Sequence, residues 1–487
     1  MSSTFPYRRA NRRRKKNHLL GLIIYGAVLL ALVYTMHPLS VTEGIIGVAI
    51  ILLGLLPLRK WLLDPLGKLP IFESFSMAVG IYYGLPMISG ENGTFNIWTI
   101  AGPVRVEIGI MIFVSLLASQ LAFRLSQRRI RRLDRGIKRV MPMDLARVVM
   151  MVFLILSVVV VVTTSLGLRQ FLGVFAGTVT TALVGLGMVA SYVLARLAGA
   201  GLLNAPTRLL TILLIVTAVL IQTGSGLLAP AVRFIVPPII GYIVGSGKVP
   251  WKTIGIGVLL FIFLNAGKHE MRMQYWGGSG QAGTYNILTL PERMVDWAGY
   301  SVDVLTSPKD KYRYTAPLTQ RVNLSSIMGI IVRQSPEQKP YLYGKTYIPL
   351  LYLWIPRFFW PGKPQGHEAN KQLVTYYNIQ SERYAERTSI GVGVFGEAYA
   401  NFGWSGVIGL AILFGYLLGR IEAKLNDPDV LALRSFLAAP FFIMTLAIEG
   451  PVSSMLVPLI QALIVIAIVF FFITVRERRA LYLAGYR

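Results

Sequence analysis

The feature that most constrains this chain is a set of long apolar blocks almost free of charge, such as Leu145–Leu166 and Leu456–Thr474. A run of roughly 18 or more apolar residues crosses a bilayer as a helix, since about 20 residues at 1.5 Å rise span the hydrocarbon. Helix is the form such blocks demand, because an isolated strand leaves its backbone N–H and C=O groups unpaired in lipid. The alternating pattern of an outer-membrane barrel is absent. With 54% hydrophobic and 14% charged residues arranged in such blocks, the 487-residue chain is expected to be an all-α integral membrane protein.

Twelve spans are expected, near 19–36, 41–57, 70–90, 105–123, 145–166, 175–195, 207–222, 227–244, 252–266, 391–419, 431–449 and 453–475. The third is the most dilute, holding Glu73, Ser74 and Ser76. Leu19–Met36 follows an Arg-rich start but is long for the apolar part of a signal peptide. His37-Pro-Leu-Ser40 also offers no small-x-small cleavage pattern, so this block is read as an uncleaved first span.

A net charge of +26 would suggest nucleic acid in a soluble protein, but its distribution points to lipid. Seven basic residues crowd into Arg8–Lys16 and eight into Arg124–Arg139, each block beside a span. Cytoplasmic segments carry such excess, and anionic headgroups account for it without nucleic acid. With both termini cytoplasmic, every cytoplasmic segment holds at least two Lys or Arg. The opposite-side links 37–40, 223–226 and 450–452 hold none, and 167–170 has only Arg169. Residues 1–18 and 476–487 then form basic cytoplasmic termini around spans at 19–266 and 391–475. Residues 267–390 form one large loop on the far side.

That loop is not low-complexity. It holds an apolar stretch, Val322–Val332, and an aromatic stretch running from Tyr341 to Trp360; helices lying along the membrane surface would account for both. The absence of cysteine excludes disulfides and thiolate chemistry. The four histidines have no metal-binding spacing.

Two segments carry candidate chemistry. In Pro356-Arg-Phe-Phe-Trp-Pro-Gly-Lys-Pro364, prolines and aromatics stiffen a backbone that holds Arg357 and Lys363 near headgroup depth. A guanidinium grips phosphate oxygens bidentately and a lysine adds a point charge, so a lipid diphosphate is the natural anion there. In the second, Ser389, Gly393, Glu397, Asn401 and Ser405 recur every four residues, which a helix would place on one face. A carboxylate at the membrane edge is either functional or paired structurally, for instance with Arg233 or with a neighbouring helix. Arg105, Glu107, Arg169, Arg233 and Glu449 fall on the same side and, with Glu397, are candidates for one shared cavity.

The strings IPRFFWPGKP at 355–364 and RTSIGVGVFGEAYANFGWSGVIG at 387–409 resemble the Wzy-type repeat-unit polymerases of bacterial O-antigen and exopolysaccharide assembly. About twelve spans and a large external loop late in the chain also resemble that family. The resemblance implies a membrane-embedded glycosyltransferase of the inner membrane, working at its outer face on undecaprenyl-diphosphate-linked oligosaccharide. It implies no cofactor, metal or nucleotide sugar, and a flippase and a chain-length regulator of the same pathway as partners. Arg357 and Arg387 would bind the donor diphosphate, assisted by Lys363. Glu397 would be either the base for the acceptor hydroxyl or the group that orients an arginine. Arg272, Arg233, Tyr399 and Asn401 complete the candidate substrate-binding set. Arg272 and Gly283 also fit an Arg-x10-Gly spacing associated with external loops of the family. An O-antigen ligase, or a transporter of lipid-linked glycans, are the alternatives.

Overall fold

The computed structural model describes residues 38–65, 67–89, 100–128, 139–168, 173, 176–276, 285–306, 322–355, 359–360, 362–364, 367–386, 390–427 and 429–476. The expected first span and the last eleven residues lie outside them. The architecture is all-α. Helices follow as α1 (Val41–Leu63), α2 (Ile71–Ile88, with a π turn at Gly80–Gly84), α3 (Gly102–Arg128), α4 (Met143–Ser165), α5 (Ala176–Gly199), α6 (Ala205–Gly224) and α7 (Leu228–Ser246). Then come α8 (Trp251–Ala266), α9 (Lys268–Tyr275), α10 (Leu290–Thr306), α11 (Leu324–Gln334), α12 (Glu368–Tyr376) and α13 (Glu382–Ala385). The series closes with α14 (Val394–Leu425), α15 (Leu433–Thr445) and α16 (Val452–Ile473). Two-residue strands Arg139–Val140 and Val475–Arg476 pair antiparallel.

Among the described residues, nine helices are long and apolar enough to cross a membrane: α1 to α7, α14 and α16. A tenth span is formed if α8 and α9, bent by 52° at Gly267, count as one. The expected eleventh span is shorter than the hydropathy suggested. α15 has only 13 residues, or about 20 Å at 1.5 Å per residue, and gives way to turns from Leu446 to Pro451. Apolar side chains continue through Leu446, Ala447 and Ile448, so hydropathy alone does not register the end of the helix.

Contacts between helix ends sort into two faces that alternate as the charge pattern requires. On one face, Gly67 bonds Val244, Leu69 bonds Asn426, Met141 bonds Leu431 and Arg196 bonds Asp427. On the other, Arg105 pairs with Glu43, Ser325 bonds Tyr83, Trp276 bonds Ser225 and Gly393 bonds Glu449. Helices within the bundle approach closely through small residues. A Cβ on Gly54 of α1 would lie 2.8 Å from Gly80 Cα of α2, so the two backbones touch there. Leu209, Ile212, Leu213 and Val216 of α6, and Ile256, Leu259 and Leu260 of α8, remain exposed. Such broad apolar surface is the mark of lipid contact.

Between α8 and α14 the chain does not simply lie on the surface. The expected stretch 322–332 is a helix, α11, but it is sunk into the core, with Ile327, Met328 and Ile331 buried. Asn323 starts it by accepting the Ser326 N–H at 2.9 Å. Residues 341–355, most of the described aromatic stretch, form turns and a 3-10 helix at Lys345–Leu351, where Pro349 denies a backbone donor. α10 is the amphipathic surface helix: Trp297 is buried and donates to Leu264 O, while Val295 and Val302 are exposed.

Candidate functional site

The site is organised by a break in α14. Gly403 has φ +61° and ψ −145°, outside the helical region, so α14 is a short segment up to Phe402 followed by a long one from Trp404. A break frees carbonyls that must be satisfied when buried. The turn before the 3-10 helix does this: Leu342 N–H bonds Ala400 O at 2.9 Å, and Tyr343 N–H bonds Asn401 O at 3.2 Å. The ring of Tyr341 packs over Gly403, leaving no space for a Cβ.

Asn401 ties these parts together. Its Nδ2 donates to Thr346 Oγ1 at 2.7 Å and to Glu397 O at 2.8 Å, and its Oδ1 accepts Gly344 N–H at 2.8 Å. Gly344 sits at φ +88°, a conformation glycine takes without strain.

Glu397, 0% exposed, stands one helical turn before Asn401. Its Oε2 accepts the N–H of Val452, the first residue of α16, at 2.6 Å. The first N–H groups of a helix have no internal partner, and negative charge there is favourable. The carboxylate therefore caps α16 across the bundle, and this backbone group, not Arg233, is the partner found for Oε2. The hydroxyl of Thr346, which accepts from Asn401, also interacts with the carboxylate. The phenol of Tyr347 lies nearby. Burial, reinforced by the Glu397 charge, raises its pKa above the ordinary tyrosine value.

The expected four-residue repeat on one helix face is reduced to Glu397 and Asn401. Gly393 precedes the helix at φ +77°, and Ser405 lies beyond the break, exposed and bonded to Phe402 O. Ser389 lies outside the described residues, as do Arg357, Arg387 and Arg169.

The flanks of both arginine segments are described and anchored. Lys363 is buried, and its Nζ donates to Leu353 O at 2.7 Å and Ile355 O at 2.6 Å, so it clamps the turn leading into 356–358. Ahead of 387–389, Glu386 pairs with Lys371 at 3.1 Å; that contact raises the lysine pKa. After it, Gly391 and Gly393 run against the backbone of Glu449.

Other expected residues spread apart. Arg105 holds Glu43 bidentately, with two bonds of 3.0 Å, and Glu107 accepts Trp404 Nε1 at 2.9 Å. Arg233 is exposed on α7. Arg272 donates to Gly226 O at 3.0 Å and stacks on Trp276. Tyr399 is buried on α14, edge-on to Tyr341, with its hydroxyl 3.4 Å from Ser335 O. Of the residues expected around one cavity with Glu397, Glu107 reaches Trp404 beside the break and the backbone of Glu449 meets Gly393 at the start of α14, while Arg105 is engaged with Glu43. Thr346, Tyr341 and Trp404 belong to the site and were not anticipated; only the density of aromatics at 341–360 hinted at two of their neighbourhoods. No group of three His, Asp or Glu suited to a metal is present among the described residues.

Long apolar helices around a broken one define a multi-pass all-α membrane protein. Residues 322–478 match the family model of the O-antigen polysaccharide polymerase Wzy, a stretch reaching from α11 to the end of α16. The match contains both strings that carried the resemblance in the sequence and the whole Gly403 site. No curated protein and no solved structure matches the chain.

Proposed function

We propose that the chain polymerises undecaprenyl-diphosphate-linked oligosaccharide repeat units at the outer face of a bacterial inner membrane. The observation that carries this reading is the family match over 322–478, which covers the broken helix and both arginine segments.

In the proposed step, a sugar hydroxyl of the acceptor repeat unit attacks the anomeric carbon of the donor glycan. The bond from that carbon to the diphosphate oxygen breaks, and undecaprenyl diphosphate leaves with the electron pair. The hydroxyl proton passes to a base. Arg357 and Arg387 stabilise the leaving diphosphate, since paired guanidinium groups match its charge and geometry. The bonds of Lys363 to Leu353 and Ile355 support a positioning role, holding the strand of chain that bears Arg357. The burial of Glu397 and its bond to Val452 likewise support positioning: it locks the first segment of α14 to α16.

Disruption of the gene in its host tests the reading. Cells should then carry single repeat units where the parent carries polymer, and the wild-type gene should restore chain length. A ligase would instead leave full-length polymer on its lipid carrier. A transporter would leave repeat units on the cytoplasmic face.

A further inference from the structure

A second feature of the same face lies outside every residue assigned above. The C-terminal end of α11, the turn after it, the turn after α12 and the residue entering α3 enclose a cavity of about 160 Å³. It is lined by Ile100, Ile330, Arg333, Gln334, Gln338 and Asn378.

Its chemistry is one-sided. Ile100 and Ile330 give an apolar wall. Beside them stand three amides and a guanidinium whose hydrogen-bonding capacity is largely unused. Gln334 is 8% exposed, and its Nε2 is committed to Tyr377 O at 3.1 Å, which fixes the amide and leaves Oε1 as an acceptor. Among the described residues, the side chains of Arg333, Gln338 and Asn378 have no hydrogen-bond partner. Asn378 is held at φ +54°, a left-handed turn position that asparagine tolerates better than most residues. Arg333 sits in the last turn of α11, where the helix dipole favours a cation; that accounts for its charge and not for the amides around it.

From this we infer that the cavity is a binding subsite for one neutral sugar of the acceptor glycan. A pyranose presents an apolar C–H face and a rim of hydroxyls that both donate and accept, which amides and a guanidinium answer directionally. A diphosphate would call for several converging cations, and only Arg333 supplies charge here. The wall is coupled to the Gly403 site: Ser335, next to Gln334, bonds the Tyr377 hydroxyl at 2.8 Å and accepts from Tyr399 of α14. The assignment of the sugar to the acceptor rests on the polymerase reading; sugar binding as such does not.

The test uses the full-length protein in nanodiscs and the repeat-unit oligosaccharide of the host, released from its lipid by mild acid. Saturation-transfer NMR should show transfer to its ring protons, undiminished by inorganic pyrophosphate. Gln338 and Asn378 are exposed, and glycine takes the left-handed φ of residue 378 without strain, so Q338A/N378G should fold normally, with unchanged thermal unfolding. Loss of two or more polar contacts should weaken binding at least about tenfold. In polymerisation, the same variant should raise KM for the lipid-linked acceptor by a similar factor, with kcat retained. Equal transfer to wild type and variant, or displacement by pyrophosphate, would overturn the subsite. Wild type that polymerises alongside a variant of unchanged KM would overturn it while sparing the polymerase reading. Sugar binding without any polymerisation would do the reverse.

Discussion

The carboxylate of Glu397 accepts the backbone N–H of Val452 at 2.6 Å, joining the first turn of α14 to the first turn of α16 across 55 residues of sequence. The bond sits within the stretch that matches the polymerase family, and everything around it is arranged to hold it. Asn401 fixes the carbonyl of Glu397, Thr346 fixes Asn401, and the Tyr341–Gly344 turn covers the break at Gly403. The site is a polar lattice built around the break in α14.

If Glu397 positions α16, its two simplest variants should differ. Glu397→Ala leaves the Val452 N–H buried without a partner, which costs about 1–3 kcal/mol, and should lower the unfolding temperature in detergent and abolish polymer. Glu397→Gln keeps an acceptor oxygen at the same reach and should retain most of the stability and measurable polymerisation. A general base predicts another pattern: E397Q as stable as wild type and as inactive as E397A. Thermal unfolding and chain length, measured side by side, separate the two roles.

Gly403 should tolerate no side chain. At φ +61° and ψ −145°, an L residue carries strain of about 1–3 kcal/mol, and its Cβ would also meet the Tyr341 ring. Gly403→Ala should therefore reduce stability and polymer together. Adding Tyr341→Ala removes the collision but not the strain, so the double variant should remain below wild type in thermal unfolding.

Arg105 and Glu43 should behave as a unit. Glu43 is buried, and removing Arg105 alone strands its carboxylate at a cost of about 3 kcal/mol. Arg105→Ala combined with Glu43→Gln should recover part of that loss. Additive losses in a double-mutant cycle would show that the pair is not coupled.

Alkaline pH should loosen the junction between α11 and α12. Burial pushes the Tyr377 phenol from 10 up to about 12, so the folded state favours its protonated form. The sign follows: this stabilisation is complete below pH 10 and is lost as pH rises from there through about 12. Unfolding temperatures from pH 8.5 upward should fall more steeply for wild type than for Tyr377→Phe, which has no proton to lose.

The spans were legible because bilayer thickness writes itself into hydropathy, and the two-faced alternation of charge agreed with which helix ends touch. What was not legible had a local cause in each case. The break at Gly403 leaves no trace among 47 glycines, because a backbone angle is not a composition. Once the helix breaks, a four-residue spacing no longer shares a face, which removes Ser405 from the set. α15 ends early inside an apolar run, so its end is set by turn geometry around Pro451. The partner of Glu397 is a backbone amide, a group every residue carries, and no pattern of side chains announces it. Lys363 was expected to add a point charge at a lipid diphosphate because the proline- and aromatic-rich segment 356–364 holds it with Arg357. Its burial against two carbonyls follows from a turn that the sequence around Pro356 and Pro364 only suggested.

Purified protein in nanodiscs supplied with a single lipid-diphosphate-linked repeat unit tests the proposed reaction itself. A ladder of glycans on the carrier lipid is expected, with one undecaprenyl diphosphate released for each new bond, and loss of both in Arg357→Ala and Arg387→Ala. Cognate repeat units returned unchanged by the folded protein would contradict it.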